Sequence, residues 1–143
     1  MKSPAGPVLL AFAGIALLLA GCATTPGGGS SAANFEQARA VLEAGCVHCH
    51  GSERLAGMPS FASTRDLAAL TGPGRLIVPG APEQSRFFQV VTLSDSDIGA
   101  MPPTGHALAP REVGVLKAWI AGGAELPEQD LALRPQGRSP RSR

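Results

Sequence analysis

Residues 46–50 read Cys46-Val47-His48-Cys49-His50, and this stretch decides how the whole chain is interpreted. Its two cysteines are three positions apart, and a histidine follows the second one directly. Such a C-x-x-C-H run is typical of covalent haem attachment, in which each thiol forms a thioether with a haem vinyl group. The imidazole next to the second thioether then becomes an axial ligand of the iron. The stretch therefore predicts one haem c, held by Cys46 and Cys49 and ligated by His50.

Two other kinds of chemistry use closely spaced cysteines, namely zinc binding and dithiol redox exchange. A zinc site made of Cys46, His48, Cys49 and His50 would have all four ligands within five residues. Structural zinc sites separate the second ligand pair from the first, and a thioredoxin-like motif needs a βαβ context that this sequence lacks. Both remain alternatives, but haem attachment explains the spacing better. We interpret His48 as an exposed residue between the two cysteines.

The N-terminal region predicts export and a lipid anchor. Lys2 precedes the apolar run 8–20, which is too short to span a bilayer and has the length of a signal-peptide hydrophobic region. The run leads into Leu19-Ala20-Gly21-Cys22, which resembles a bacterial lipobox. We therefore expect residues 1–21 to be a lipoprotein signal peptide and Cys22 to be acylated. The alternative is an ordinary secretory signal followed by an unrelated cysteine.

The same features predict location and domain layout. Because two or more acyl chains anchor a protein stably, we expect the protein at the periplasmic face of a membrane. Position 23 is Ala rather than the Asp that retains lipoproteins at the inner membrane, which favours the outer membrane. Residues 22–34 comprise the lipidated cysteine and a flexible tether of small and polar residues. Residues 35–126 are expected to form one folded domain, and residues 127–143 a disordered basic tail.

The distribution of charge limits the possible partners. Residues 22–133 contain 7 Lys or Arg and 11 Asp or Glu side chains, whereas residues 134–143 contain 4 Arg. This acidic domain offers no basic surface for nucleic acid. With Lys117 as its single lysine, it also lacks the lysine ring that steers many soluble cytochromes to acidic partners. We expect redox proteins as partners, and a chain that acts as a monomer or as a complex subunit.

Apolar periodicity and capping signals predict an all-α domain of about four short helices around one covalently bound haem. No convincing strand pattern is present. The expected helices are 35–44 with Asn34 as its N-cap, 66–70, 82–92, and a last helix that begins at Pro110 and ends at Gly122-Gly123. We expect the first helix to cross the last one at Gly114, because a glycine permits close approach.

The second axial ligand should come from a segment distant from the motif. Met101 lies in Gly99-Ala100-Met101-Pro102-Pro103, where two prolines stiffen the loop after the sulfur. Met58 is only eight residues beyond His50, so we expect it to pack in the core or against the haem edge. His106 is the nearby rival to Met101. A His–Met pair would raise the reduction potential and close the iron to exogenous ligands.

Other side chains are candidates for supporting the haem. A haem-ligating histidine needs an acceptor for its other ring nitrogen, and the loops at Pro59 or Pro79 could supply a carbonyl for His50. Three basic side chains are candidate partners of the haem propionates: Arg54, Arg75 and His106.

In the order of these motifs, residues 35–126 resemble the planctomycete-type cytochrome c domain. In that family C-x-x-C-H is followed by Val-Pro-Gly, a helix, a Met-Pro-Pro loop, and a closing helix with Trp-Ile and Gly-Ala. The corresponding residues here are 46–50, Val78–Gly80, Met101–Pro103, Trp119-Ile120 and Gly123-Ala124. The resemblance implies an all-α, cytochrome c-like fold. It also implies thioethers at Cys46 and Cys49 and axial ligation by His50 and Met101. Ala109 departs from the pattern, in which Ser or Thr usually precedes the last helix.

The expected function is electron transfer by a membrane-anchored, monohaem c-type cytochrome rather than enzymatic conversion of a substrate. The chain has one haem motif, no second cofactor motif and no distal acid–base pair in its sequence. Three alternatives remain open. The chain could be the haem relay subunit of a dehydrogenase or peroxidase complex, a haem-based ligand sensor, or a zinc-binding structural lipoprotein.

Overall fold

A computed structural model describes residues 31–103 and 105–137 of the chain. The helices in this part are α1 (Ser31–Gly45), α2 (Val47–His50), α3 (Thr64–Leu70), a 3-10 helix (Pro82–Gln84), α4 (Arg86–Thr92) and α5 (Pro110–Ala121). Within the described residues, β pairing is limited to isolated bridges. The all-α class predicted from the sequence is therefore confirmed. The predicted signal peptide, Cys22 and the first part of the tether lie outside the described residues.

Helix α1 begins at Ser31, four residues before its predicted start and inside the segment expected to be flexible. The extra turn contains Ala32 and Ala33, and alanine has the highest helix propensity of all residues. Asn34 is consequently inside the helix and is not its N-cap. The helix buries one face with the expected spacing, formed by Phe35, Ala38, Val41 and Leu42. It ends at Gly45 and leads directly into the cysteine motif.

Helices α1 and α5 pack against each other through aromatic side chains. The rings of Phe35 and Trp119 have centroids 6.4 Å apart, and Trp119 is almost completely buried. The crossing point predicted at Gly114 is wrong, because Gly114 is exposed and a Cβ there would meet nothing within 4 Å. The close approach is instead at Gly122, where a Cβ would lie 3.4 Å from Nδ2 of Asn34.

Helix α5 begins at Pro110 and ends at Ala121, close to its predicted bounds. Ala109 offers no side-chain cap, as its sequence suggested. The carboxylate of Glu112 compensates by accepting the backbone N–H of Ala109 at 2.6 Å. In a capping box, the side chain of the third helical residue accepts the N–H of the N-cap residue, and Glu112 makes this contact here.

The single helix predicted over 82–92 is interrupted at Ser85. Ser85 is fully buried and its backbone is extended, with φ −81° and ψ 114°. Its Oγ accepts the backbone N–H of Val78 at 2.8 Å and lies 3.0 Å from the carbonyl oxygen of Ala81. A serine that bonds to nearby backbone groups competes with helical hydrogen bonding. The result is a short 3-10 helix followed by α4.

Helix α3 begins at Thr64, two residues before its predicted start. Ser63 is its N-cap, since the Ser63 Oγ accepts the N–H of Asp66 at 3.2 Å. A second acceptor comes from far along the chain: Asp130 Oδ1 accepts the N–H of Arg65 at 3.1 Å. The start of this helix is therefore fixed partly by the C-terminal segment.

Residues 130–136, which we call the C-terminal strap, pack against the helices. The predicted disordered tail is thus wrong for the part that the structure describes. Leu133 is only 4% exposed, and its N–H donates to the carbonyl of Ala62 at 2.9 Å. The N–H of Thr64 donates to the carbonyl of Leu131 at 2.9 Å. The tail's overall Pro, Arg and Ser content suggested disorder, but the short apolar stretch from Leu131 to Leu133 is enough to anchor it.

The strap also reaches α1 and the cysteine motif. Glu43 is 3% exposed, and its carboxylate accepts from Nε of Arg39, the N–H of Arg134 and Nε2 of Gln136. The Nε2 of His48 donates to the carbonyl oxygen of Gln136 at 3.0 Å. Because the buried Glu43 carboxylate accepts from three donors, the strap closes over α1 without leaving this buried charge unpaired.

Candidate functional site

The side chains of the cysteine motif line a cavity of about 500 Å³. Its other walls are formed by residues 57–61, by Leu76, by α4 and by the loop 99–103. Most of the lining side chains are apolar or aromatic. The volume and the lining of this cavity both match those of cofactor sites, which have volumes of about 300–1,000 Å³ and are lined mainly by apolar residues.

The three chemically reactive residues of the motif occupy different depths in this cavity. Cys46 is buried at 8% exposure, Cys49 is exposed, and His50 is half-buried. The Nδ1 of His50 lies 3.0 Å from the carbonyl oxygen of Pro59. A carbonyl can only accept, so Nδ1 carries the proton and Nε2 keeps its lone pair as a metal ligand. Of the two acceptors considered from the sequence, the structure selects Pro59 over Pro79.

Phe61 fixes the plane of the His50 ring. The two rings are stacked, with centroids 4.9 Å apart and an interplanar angle of 28°. The Phe61 N–H also donates to the carbonyl of His50 at 2.7 Å. Phe61 packs in turn edge-on against Phe87, with centroids 5.8 Å apart. Sequence reasoning did not assign Phe61 to the site, because its proximity to His50 depends on how the loop between them folds.

Met101 reaches the same cavity from the loop that follows α4. Its backbone N–H donates to the carbonyl of Val90 at 2.9 Å, and the residue is 36% exposed. The carboxylate of Asp95 accepts the N–H of Gly105, with the shorter contact 2.9 Å. These contacts hold the loop on both sides of Met101 while its side chain lines the cavity.

The structure separates the other candidate ligands. Met58 lines the cavity together with Met101, as expected for a residue packing in the core or against a haem edge. His106 is exposed and is not part of the lining. The cavity therefore brings together Cys46, Cys49, His50 and Met101 and leaves His106 outside.

The zinc alternative needs His48 beside the two cysteines. The Nε2 of His48 is instead bonded to Gln136 of the strap. In the part of the chain that the structure covers, no group of three or more His, Cys, Asp or Glu side chains is placed to hold a metal ion. The protein side chains of the motif thus do not form a closed four-ligand zinc site here.

The basic side chains proposed as propionate partners also lie elsewhere. Arg54 Nε donates to the carbonyl of Met58 at 2.9 Å, and Arg75 Nη1 donates to the carbonyl of Ala69 at 2.7 Å. Neither arginine lines the cavity. The arginine that does line it is Arg86, at the start of α4, which the sequence did not single out.

The cavity and its motif agree with a known family. Residues 46–105 match the family model described as planctomycete cytochrome C. Over these residues the chain is similar to a cytochrome c domain. The matched segment begins at Cys46 and extends past the Met101 loop, and so contains nearly all of the cavity lining. The family recognised from the sequence is confirmed over this segment, while the resemblance noted beyond residue 105 lies outside it.

The similarity to this family indicates a cofactor, a role and a location. Domains of this family bind haem c covalently, serve in electron transfer and are typically extracytoplasmic. No curated protein and no solved structure gave a match to the chain. Among the residues that the structure describes, no helix combines the length and the apolar character needed to cross a membrane.

Proposed function

We propose that this protein is a lipid-anchored, monohaem c-type cytochrome that transfers single electrons between extracytoplasmic redox partners. The observation that carries the proposal is the meeting of Cys46, Cys49, His50 and Met101 at one apolar cavity. Two thiols, an imidazole and a thioether are the groups that a covalently attached, His/Met-ligated haem uses. The residues of the cavity therefore fit this cofactor.

Cys46 and Cys49 would hold the haem through thioethers. Because these bonds are covalent, the domain does not need to enclose the cofactor completely, which suits a cavity with the exposed Cys49 at its edge. When bound, the haem supplies a reversible one-electron couple. The apolar lining limits water around that couple, which is one of the ways in which proteins set a haem potential.

His50 is the proposed proximal ligand through Nε2. The Pro59 carbonyl holds the Nδ1 proton, and the Phe61 ring lies against the imidazole face. Such an acceptor fixes the tautomer and raises the basicity of the ligating nitrogen. These two contacts therefore orient the imidazole before any ligand bond forms.

Met101 is the proposed second axial ligand. A thioether is a weak ligand that cannot order a mobile segment by itself. The bond from the Met101 N–H to Val90 and the two following prolines supply that order. A methionine opposite a histidine favours the ferrous state and so raises the potential.

The membrane anchor and the partners are proposed from the sequence. Acylation of Cys22 at the end of the signal peptide would hold the domain at a membrane surface, and Ala at position 23 favours the outer membrane. The net negative charge of residues 22–133 favours redox partners that present basic rather than acidic surfaces.

The proposal is tested by visible spectroscopy of the full chain produced in a host with intact cytochrome c maturation. We expect a reversible one-electron couple and, in alkaline pyridine, the spectrum of a haem whose vinyl groups are both saturated. The double variant Cys46→Ala/Cys49→Ala, made in the same host, is the control and should be colourless. A parent protein as colourless as this control, or one with stoichiometric zinc, would refute the proposal. Carbon monoxide binding by the reduced parent at neutral pH would favour the ligand-sensor alternative.

A further inference from the structure

Arg86 is the one permanently charged side chain among the residues that line the cavity in the described structure. The remaining lining consists of apolar side chains, glycines and prolines, together with the thiols and imidazole of the motif. Arg86 is also exposed. Arg86 therefore lies where an apolar cavity meets solvent.

The backbone at Arg86 is fixed on both sides. Ser85, which precedes it, is fully buried and bonded to Val78 and Ala81. Phe87, which follows it, is buried, donates its N–H to the carbonyl of Leu76 at 3.0 Å, and packs against Phe61. The position from which the Arg86 side chain extends is thus determined by the core and not by a mobile loop.

The guanidinium of Arg86 has no partner within residues 31–103 and 105–137, since it makes neither a hydrogen bond nor an ion pair there. Other arginines are engaged: Arg39 pairs with Glu43, and Arg65 pairs with Asp130. A solvated surface arginine needs no protein partner, but such a residue does not usually line an apolar cofactor cavity. Five N–H donors therefore remain available at the cavity edge.

We propose that Arg86 binds a propionate carboxylate of the haem, an inference that rests on the proposed function. An ionised carboxylate at the edge of an apolar cavity is costly without a counter-charge. The planar fork of a guanidinium matches a carboxylate and can donate two parallel hydrogen bonds to it. Arg54 and Arg75, considered for this role from the sequence, donate to the backbone carbonyls of Met58 and Ala69 and do not line the cavity.

The pairing has a consequence for the reduction potential. With haem bound, the positive charge of Arg86 would lower the pKa of the propionate carboxyl and keep it ionised at neutral pH. Without Arg86 that pKa rises towards neutrality. Because an ionised propionate favours the ferric state, the potential of such a variant would fall as the pH rises through this pKa.

The test compares Arg86→Gln, Arg86→Lys and the control Arg75→Gln in the full-length holoprotein. Reduction potentials are measured by spectroelectrochemistry between about pH 5 and pH 8, where a carboxyl with a raised pKa titrates. We expect every variant to keep covalent haem. In Arg86→Gln, the reduction potential should fall with rising pH over part of this range. The steepest fall expected is about 59 mV per pH unit, which for one electron is a tenfold change in the ferric-to-ferrous ratio. Arg86→Lys should keep most of the parent's profile, and Arg75→Gln all of it.

Two results would overturn the role of Arg86 while leaving the cytochrome function intact. One is an Arg86→Gln profile that superimposes on the parent's over the whole pH range. The other is the same new pH dependence of the potential in Arg75→Gln, which would mean that the loss of any surface charge produces it. Absence of covalent haem from the parent is a different failure, because it would refute the proposed function itself.

Discussion

The Nδ1 of His50 lies 3.0 Å from the carbonyl oxygen of Pro59, only nine residues further along the chain. The Phe61 N–H closes the same loop by donating to the carbonyl of His50 at 2.7 Å. The orientation of the imidazole is therefore set by the segment that carries the cysteine motif. Met101 depends on a different segment, the loop fastened to α4 through Val90. The two proposed axial ligands can consequently be perturbed separately.

Replacing Met101 by Ala should remove one axial ligand and leave the thioethers in place. We expect Met101→Ala to keep covalent haem, to bind carbon monoxide when reduced, and to have a lower potential. We expect the potential to fall by at least about 59 mV, which for one electron is a tenfold change in the ferric-to-ferrous ratio. The lost interaction is the sulfur–iron bond that favours the ferrous state. Spectroelectrochemistry and carbon monoxide difference spectra measure both effects.

Met58→Ala is the matched control for Met101→Ala, because Met58 is a methionine that lines the same cavity. It should leave the potential nearly unchanged and the reduced iron closed to carbon monoxide. If Met58→Ala opened the iron and Met101→Ala did not, the axial assignment would have to be reversed.

The C-terminal strap should contribute measurably to stability through Leu133, which is 4% exposed. Truncation of a buried leucine to alanine costs about 2–5 kcal/mol, through lost burial and the cavity that remains. We expect Leu133→Ala to lower the free energy of unfolding within that range, as measured by urea denaturation of the holoprotein. Pro135→Ala, at an exposed position of the same strap, should change it by less than about 0.5 kcal/mol. Equal stabilities of the two variants would show that the strap is not packed.

The strap should also make stability dependent on pH through Asp130. The backbone N–H of Arg65 is the largest cause that lowers the pKa of Asp130 below its ordinary value of 3.8. Since the pKa is depressed in the folded state, the stabilisation is complete above about 3.8 and is lost as the pH falls through the folded value. We expect urea midpoints of the parent to drop more steeply below about pH 4 than those of Asp130→Asn. Glu128→Gln controls for the loss of one exposed acid; parallel curves for parent and Asp130→Asn would contradict the prediction.

Much of the site could be predicted from the sequence because its signals are local. The spacing of Cys46, Cys49 and His50 is the one typical of covalent haem attachment, and Pro59 lies close enough in sequence to be considered as an acceptor. The bounds of α5 could also be predicted, since Pro110 is a strong start signal and the glycine pair after Ala121 is a strong stop signal. These features depend on the residues themselves and not on distant parts of the chain.

The features that sequence reasoning missed depend on contacts between distant residues. The strap was predicted to be disordered because its average composition is polar, whereas Leu133 is buried and its N–H donates to the distant Ala62 carbonyl. Ser85 breaks a helix because its side chain bonds to Val78, a contact that helix propensity does not include. The place of Arg86 on the cavity wall likewise follows from the packing of Phe87 against Phe61.

The proposed lipid anchor predicts the location of the protein. Acylation at Cys22 should place the parent in the membrane fraction, and Cys22→Ser should release it or leave it uncleaved. Fractionation of cells followed by detection of haem and of the polypeptide measures this. Ala23→Asp is a useful companion variant, because it should move the protein from the outer to the inner membrane if the sorting signal operates as proposed. A Cys22→Ser protein that stays with the membrane after signal cleavage would exclude acylation as the anchor.

The central claim is that one haem is joined to the polypeptide through Cys46 and Cys49. The most direct measurement is mass spectrometry of the intact protein and of its proteolytic peptides, using material from a host with complete cytochrome c maturation. We predict that the peptide containing Cys46 and Cys49 carries the mass of one haem and that no other peptide does. A peptide with both cysteines unmodified, from a host that matures another c-type cytochrome normally, would contradict the account.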